Sequence, residues 1–174
     1  MSVATGGGRV LTVCLGNICR SPTAEAALVA AAAEAGLALE VASAGTGDWH
    51  LGQRPNPPMR DAAAADGLEL RGTAQQVDAD LLAWADVVLV MDRSNLADVT
   101  DIARTAGVDT PVLLFRTFDP EVVPSEGGDD RRPTEAPDVP DPYGGGPGGF
   151  DEVVRICRRT ARAFVASWPE VAGS

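Results

Sequence analysis

The apolar run Val10-Leu11-Thr12-Val13 leads without a break into Cys14-Leu15-Gly16-Asn17-Ile18-Cys19-Arg20-Ser21-Pro22. The run has the length and β-branched content of a strand buried on both faces, spanning about residues 9–15. Ser21 is a candidate N-cap and Pro22 suits the first position of a helix, which Gly36 stops after Ala35. A buried strand, a short glycine-containing loop and a helix start within 14 residues oblige the chain to begin as a parallel βα unit. Such a turn aims successive backbone N–H groups and the positive end of a helix dipole into one concavity, which suits a tetrahedral oxyanion. The same field favours thiolate over thiol at Cys14, a nucleophile suited to attack on phosphorus.

The alternation continues along the chain. Leu39–Ser43 reads as a second strand, 48–58 as a Pro- and Gly-rich loop and Met59–Ala65 as a helix. Asp78–Trp84 reads as a short helix, and Asp86–Met91 as the clearest buried strand. Asp92 or Ser94 caps a helix ending near Gly107, and Pro111–Phe115 is a fourth strand. Phe150 opens a last helix to about Trp168, with Val153, Val154, Cys157, Ala161, Phe164 and Val165 on one face. The fold class is therefore α/β: a single-domain three-layer sandwich with a four-stranded parallel sheet, order 2-1-3-4, and helices on both faces. Residues 1–8 are expected to be a flexible leader. The domain covers 9–170, with a long acidic, Pro/Gly-rich surface loop at about 119–149. The carboxyl ends of the strands bring the 14–21 loop, Ser43, Asp92 and that long loop to one edge.

The net charge of −11, with 14 arginines and no lysine, excludes nucleic acid as a partner and demands a local, strong anion site. Three cysteines, at 14, 19 and 157, make neither a disulfide framework nor a zinc spacing. Reduced thiols point to the cytoplasm. No apolar stretch approaches the length of a membrane span, and no membrane, metal or cofactor is expected. A monomer is favoured.

The run Val13–Pro22, together with Ser43-Ala44-Gly45-Thr46, Trp49, Met91-Asp92-Arg93-Ser94-Asn95 and Asp141-Pro142-Tyr143-Gly144, resembles the low-molecular-weight protein tyrosine phosphatases. The thiol-dependent arsenate reductases share that fold. The resemblance implies hydrolysis of phosphotyrosine in proteins through a cysteinyl-phosphate. Cys14 would attack in line, and the planar fork of Arg20 matches two equatorial oxygens. Backbone N–H groups of the phosphate-binding loop, Leu15, Gly16, Asn17, Ile18 and Cys19, on to Arg20, would bind the remaining oxygens. Ser21 can donate to the Cys14 sulfur and improve it as a leaving group. Asn17 sits where the loop needs a left-handed residue, and by resemblance it bonds Ser43.

Asp141 is the general acid by the same resemblance, preferred over Asp119 of the other Asp-Pro pair because Tyr143 and glycines follow it. Trp49 and Tyr143 look like two walls of a slot for a phenyl ring. Cys19 is a candidate disulfide partner for Cys14, with a small buried apolar residue as the other reading. Cys157 reads as core, and His50 as loop. Against the family pattern, Gly144 replaces a second aromatic, Gly72 stands where a histidine is common, and 121–140 is longer. The missing histidine is expected to weaken the contacts around Asn17. Two other functions remain open: arsenate reduction with an external small thiol, and a non-catalytic phosphate-binding module.

Overall fold

The computed structural model describes residues 7–122, 136–142 and 148–172. Four strands, β1 (Gly8–Cys14), β2 (Leu39–Gly45), β3 (Val87–Val90) and β4 (Val112–Leu114), form one parallel sheet in the order β2-β1-β3-β4. Six helices connect and cover them: α1 (Arg20–Ala35), α2 (Pro57–Ala65), α3 (Ala79–Trp84), α4 (Arg93–Ala106), α5 (Gly148–Ala166) and α6 (Trp168–Ala172). β1 lies between β2 and β3, pairing Val10 with both Val41 and Val87.

Alternate residues of the central strands feed two apolar layers, as a sheet covered on both faces requires. Val10, Cys14, Leu89 and Met91 pack with α1, α2 and α5. Leu11, Val13, Val88 and Val90 pack with α3 and α4. The three-layer sandwich and its strand order are those expected from the sequence.

Four boundaries differ, each for a local reason. Gly8 already belongs to β1, where its N–H donates to the Ala38 carbonyl and the Trp168 ring covers it, so the strand starts one residue before the Arg9 expected. The helix expected from Met59 starts two residues sooner, because the Asn56 side chain accepts from the Met59 N–H and prolines 57 and 58 fit a first turn. Phe115 does not extend β4 but opens a 3-10 turn, Phe115–Phe118, which brings Arg116 onto Asp119 at 2.9 Å. The last helix divides at Ser167 because Pro169 has no N–H to continue the ladder.

The expected surface loop at 119–149 is only partly that. Asp119, Ala136 and Val139 are buried, and the Val139 N–H donates to the Met91 carbonyl at 2.7 Å. Residues 123–135 and 143–147 lie outside the described residues.

Candidate active site

The loop after β1 is shaped by what its carbonyls do. The carbonyls of Cys14 and Leu15 accept from Thr46 and Gly47, both at 2.9 Å, and that of Ile18 accepts from Asn56 at 2.8 Å. Among the described residues, the N–H groups of Leu15, Gly16, Ile18, Cys19 and Arg20 donate to no protein acceptor, while that of Asn17 points at the Cys14 sulfur at 3.2 Å. Gly45 has to be glycine here: a Cβ would lie 2.6 Å from the Leu15 carbonyl oxygen.

Asn17 takes φ 58°, alone among the described non-glycine residues in that region, as the sequence suggested. Its side-chain oxygen accepts from the Gln75 N–H at 2.9 Å, which fixes the orientation of the amide. The amide nitrogen must then donate to both hydroxyls it touches, Ser21 at 2.8 Å and Ser43 at 3.0 Å. Ser21 Oγ, already an acceptor, can turn its own proton to Cys14 Sγ at 3.0 Å.

Ser21 is therefore not the N-cap expected of it. Cys19 holds that position without a side-chain cap bond, and Pro22 is third in the helix rather than first. The Ser21 hydroxyl lies instead 3.0 Å from the Cys14 sulfur and 3.4 Å from the Ala44 carbonyl. Nor does the absence of a histidine near Gly72 leave Asn17 poorly held. The backbone amide of Gln75 supplies its donor, and Gln75 Nε2 ties down the Ser43 carbonyl at 2.9 Å. Sequence reading missed Gln75, since its contacts to Asn17 and to the Ser43 carbonyl join segments 58 and 32 residues apart.

Arg20 is 4% exposed. Its Nη1 donates to Asp92 Oδ2 at 2.7 Å and to the Val139 carbonyl at 3.2 Å, and Nη2 lies 3.7 Å from Asp141. Among the described residues Nε and Nη2 make no hydrogen bond, so Arg20, which lines the cleft, keeps donors to offer. Burial works against the charge on Arg20, but Cys14, Asp92 and Asp141 outweigh it and hold the group more firmly protonated than usual. Asp92 serves twice, since its other oxygen caps α4 by accepting from Asn95 N–H at 2.7 Å.

The two Asp-Pro pairs differ sharply. Asp119 has no exposed surface and is bound by Arg159 at 2.8 and 3.1 Å, by Arg116 at 2.9 Å and by the Glu121 N–H at 2.9 Å. Burial alone would raise its pKa, but these contacts outweigh burial and hold it below the usual carboxylate range. It is a structural anion. Asp141 is about half exposed beside Arg20 and lines the cleft.

That cleft, about 90 Å³, is lined by Cys14, the loop, Arg20, Trp49, His50 and Asp141. Trp49 is 68% exposed and lies against Gly47, so it is a wall and not core. Tyr143, the other expected wall, lies outside the described residues. His50, read from sequence as plain loop, is a wall residue: its ring sits on Gly16, where a Cβ would come within 3.0 Å of it, and Nδ1 meets Gln53 Oε1 at 3.1 Å. A lone histidine in a glycine-rich loop gave no signal for that.

All three cysteines are buried free thiols. Burial, with Cys14 and Asp141 adding to it against Arg20, pushes the Cys19 thiol up to about 12. Cys157 is held protonated in the α5 core, mainly by burial. No cluster of metal-ligating side chains occurs among the described residues, nor is any described helix long and apolar enough to cross a membrane.

The sequence profile of the family described as "Low molecular weight phosphotyrosine protein phosphatase" matches residues 9–171. A "Low molecular weight protein-tyrosine-phosphatase" of Streptomyces coelicolor is 37% identical over 161 residues, 91% of this chain and 92% of that protein. Among solved structures, a protein tyrosine phosphatase from Entamoeba histolytica with Hepes in the active site superposes with a TM-score of 0.78 at 26% identity, covering 94% of this chain and 97% of that one. YfkJ from Bacillus subtilis superposes with a TM-score of 0.75 at 32% identity, covering 93% and 94%.

Proposed function

This chain belongs to the low molecular weight phosphotyrosine protein phosphatase family, a family of cysteine-dependent phosphatases, and from that membership we propose that it hydrolyses phosphotyrosine in proteins through a cysteinyl-phosphate intermediate. The observation that carries the reading is a loop in which the Asn17 N–H donates to the Cys14 sulfur at 3.2 Å and the N–H groups of Leu15, Gly16, Ile18, Cys19 and Arg20 have no protein acceptor among the described residues, in a cleft that Arg20 also lines. Such donors are aimed where charge develops on the three equatorial oxygens of a transferring phosphoryl group.

In the first step the Cys14 thiolate attacks phosphorus in line. The S–P bond forms as the bond to the phenolic oxygen breaks, and Asp141, entering as a neutral acid, gives its proton to the departing phenolate. In the second step a water attacks the phosphocysteine, the Asp141 carboxylate takes the water's proton, and the thiolate leaves as inorganic phosphate forms. Ser21, oriented by Asn17, donates to the sulfur and stabilises it as leaving group. Exposed Trp49 supports an aromatic substrate. The partners are phosphotyrosine-bearing proteins, and the compartment is the cytoplasm.

The test is turnover of p-nitrophenyl phosphate and a phosphotyrosine peptide by wild type, Cys14→Ser and Asp141→Asn, with acid quench during turnover to trap protein-bound phosphate. Wild-type activity lost in Cys14→Ser, with phosphate trapped on the wild-type chain, is expected. Reaction only with arsenate plus a small thiol, or tight phosphate binding without turnover, overturns the reading.

A further inference from the structure

We propose that Asp138 is a positioning residue for Asp141, through a clamp on the first turn of α4. The inference rests on the reading of Asp141 as the general acid. Asp138 Oδ1 accepts from the Arg93 backbone N–H at 3.0 Å and from Arg93 Nη1 at 3.2 Å. The Arg93 N–H is one of the first-turn donors that α4 leaves without a partner, and Asp92 caps a different one. The Asp138 carbonyl is held in turn by Arg116 Nη1 at 3.1 Å, and Arg116 is fixed by the buried Asp119. The next residue is pinned as well: Val139 donates to the Met91 carbonyl at 2.7 Å and accepts from Arg20 at 3.2 Å.

From there to the acid the chain is stiff. Residues 139–142 read Val-Pro-Asp-Pro. Pro140 locks its own φ and restricts Val139, and Pro142 keeps Asp141 out of the helical region. Few soft torsions therefore separate the anchored pair 138–139 from the carboxyl of Asp141, so a shift at the anchor becomes a shift at the acid. Arg93 and Asp138 are both about half exposed, so the ion pair itself contributes little to stability. The effect of the clamp is on geometry, where misplacement of a reacting group by about 1 Å can cost up to about 100-fold.

Protonation of the leaving group matters for a poor one and hardly at all for a good one, which separates this role from a general loss of structure. The test measures kcat/KM for phenyl phosphate and 2,4-dinitrophenyl phosphate in wild type, Asp138→Ala, Asp138→Asn, Asp141→Asn and Asp138→Ala/Asp141→Asn. Asp138→Ala is expected to lose about tenfold on phenyl phosphate and less than about twofold on the dinitrophenyl ester. Asp138→Asn, which keeps an oxygen acceptor for the Arg93 N–H, restores most of that loss. The double variant matches Asp141→Asn. Equal losses on both esters, no loss on either, or a further drop in the double variant overturns the clamp. If Asp141→Asn itself shows no leaving-group dependence, the reading of Asp141 and the clamp fall together. If Asp141→Asn shows it and Asp138→Ala does not, only the clamp falls.

Discussion

The anion loop at 14–20 and the strap at 136–142 meet on Arg20, yet they are held by different means. The loop carbonyls of Cys14, Leu15 and Ile18 reach partners on the loops that follow β2, over a backbone path the sheet already dictates. The strap depends on side chains and backbone groups from three places distant in sequence: Arg20, the Met91–Arg93 turn and Arg116. The loop is thus preorganised by secondary structure, and the strap by polar contacts made after the sheet exists. An anion cradle needs many small dipoles at fixed spacing, which backbone supplies. A general acid, the role proposed for Asp141, needs one group at one place, which suits a tethered strap.

The largest effect should come from the residue both regions share. Arg20→Lys keeps the charge but loses the fork, and should cost roughly 10³-fold in kcat/KM on p-nitrophenyl phosphate, since a single ammonium spans neither two oxygens nor Asp92 and Val139 together. Retention of near wild-type activity would show that the loop amides suffice alone. Asp141→Asn breaks only the strap's contribution, and a loss of on the order of 10²-fold on phenyl phosphate is expected from steady-state rates, with inorganic phosphate still bound as a competitive inhibitor.

Asn17→Ala breaks only the loop. It frees Ser21, Ser43 and the Gln75 N–H at once, and should cost about 1–3 kcal/mol in urea-melt stability with about a tenfold fall in kcat. The discriminating comparison is that Asn17→Ala should impair all aryl esters alike, whereas Asp141→Asn should not.

The smallest effect on catalysis is expected at Asp119, which anchors the strap indirectly through Arg116. Its folded pKa is depressed, so its contribution to stability is fully present above the unfolded value of 3.8 and is lost as pH falls through the folded one. Asp119→Asn should lower stability by about 3–5 kcal/mol near neutral pH and flatten the fall of Tm as pH drops below 3.8. Thermal melts across that range check this, and an unchanged slope would show that Asp119 is not the titrating anion.

Much of the loop could be read from residue order alone. A buried apolar run, Gly16, Asn17 and a helix start require a βα turn, and a turn of that kind suits an anion. The left-handed Asn17 and the choice of Cys14 and Arg20 as facing groups are written in the same short run. The strap could not be read this way. Asp-Pro occurs twice, and only the Tyr143 and glycines that follow Asp141 mark it out, by resemblance; burial against Arg116 and Arg159 makes Asp119 a structural anion while Asp141 lines the cleft. His50 and Gln75 were silent for a related reason: one acts by where its loop folds over Gly16, the other through a backbone N–H to Asn17 and a side-chain amide to the Ser43 carbonyl, both distant in sequence.

The sequence by itself determined the sheet, its strand order and the anion loop, because periodicity and turn chemistry act between near neighbours and need no partner from afar. Tertiary structure alone decided that Asp119 is buried, that His50 covers Gly16 and where the strap is pinned. Those outcomes depend on burial and on donors arriving from other elements, and neither exists until the chain has closed around Arg20.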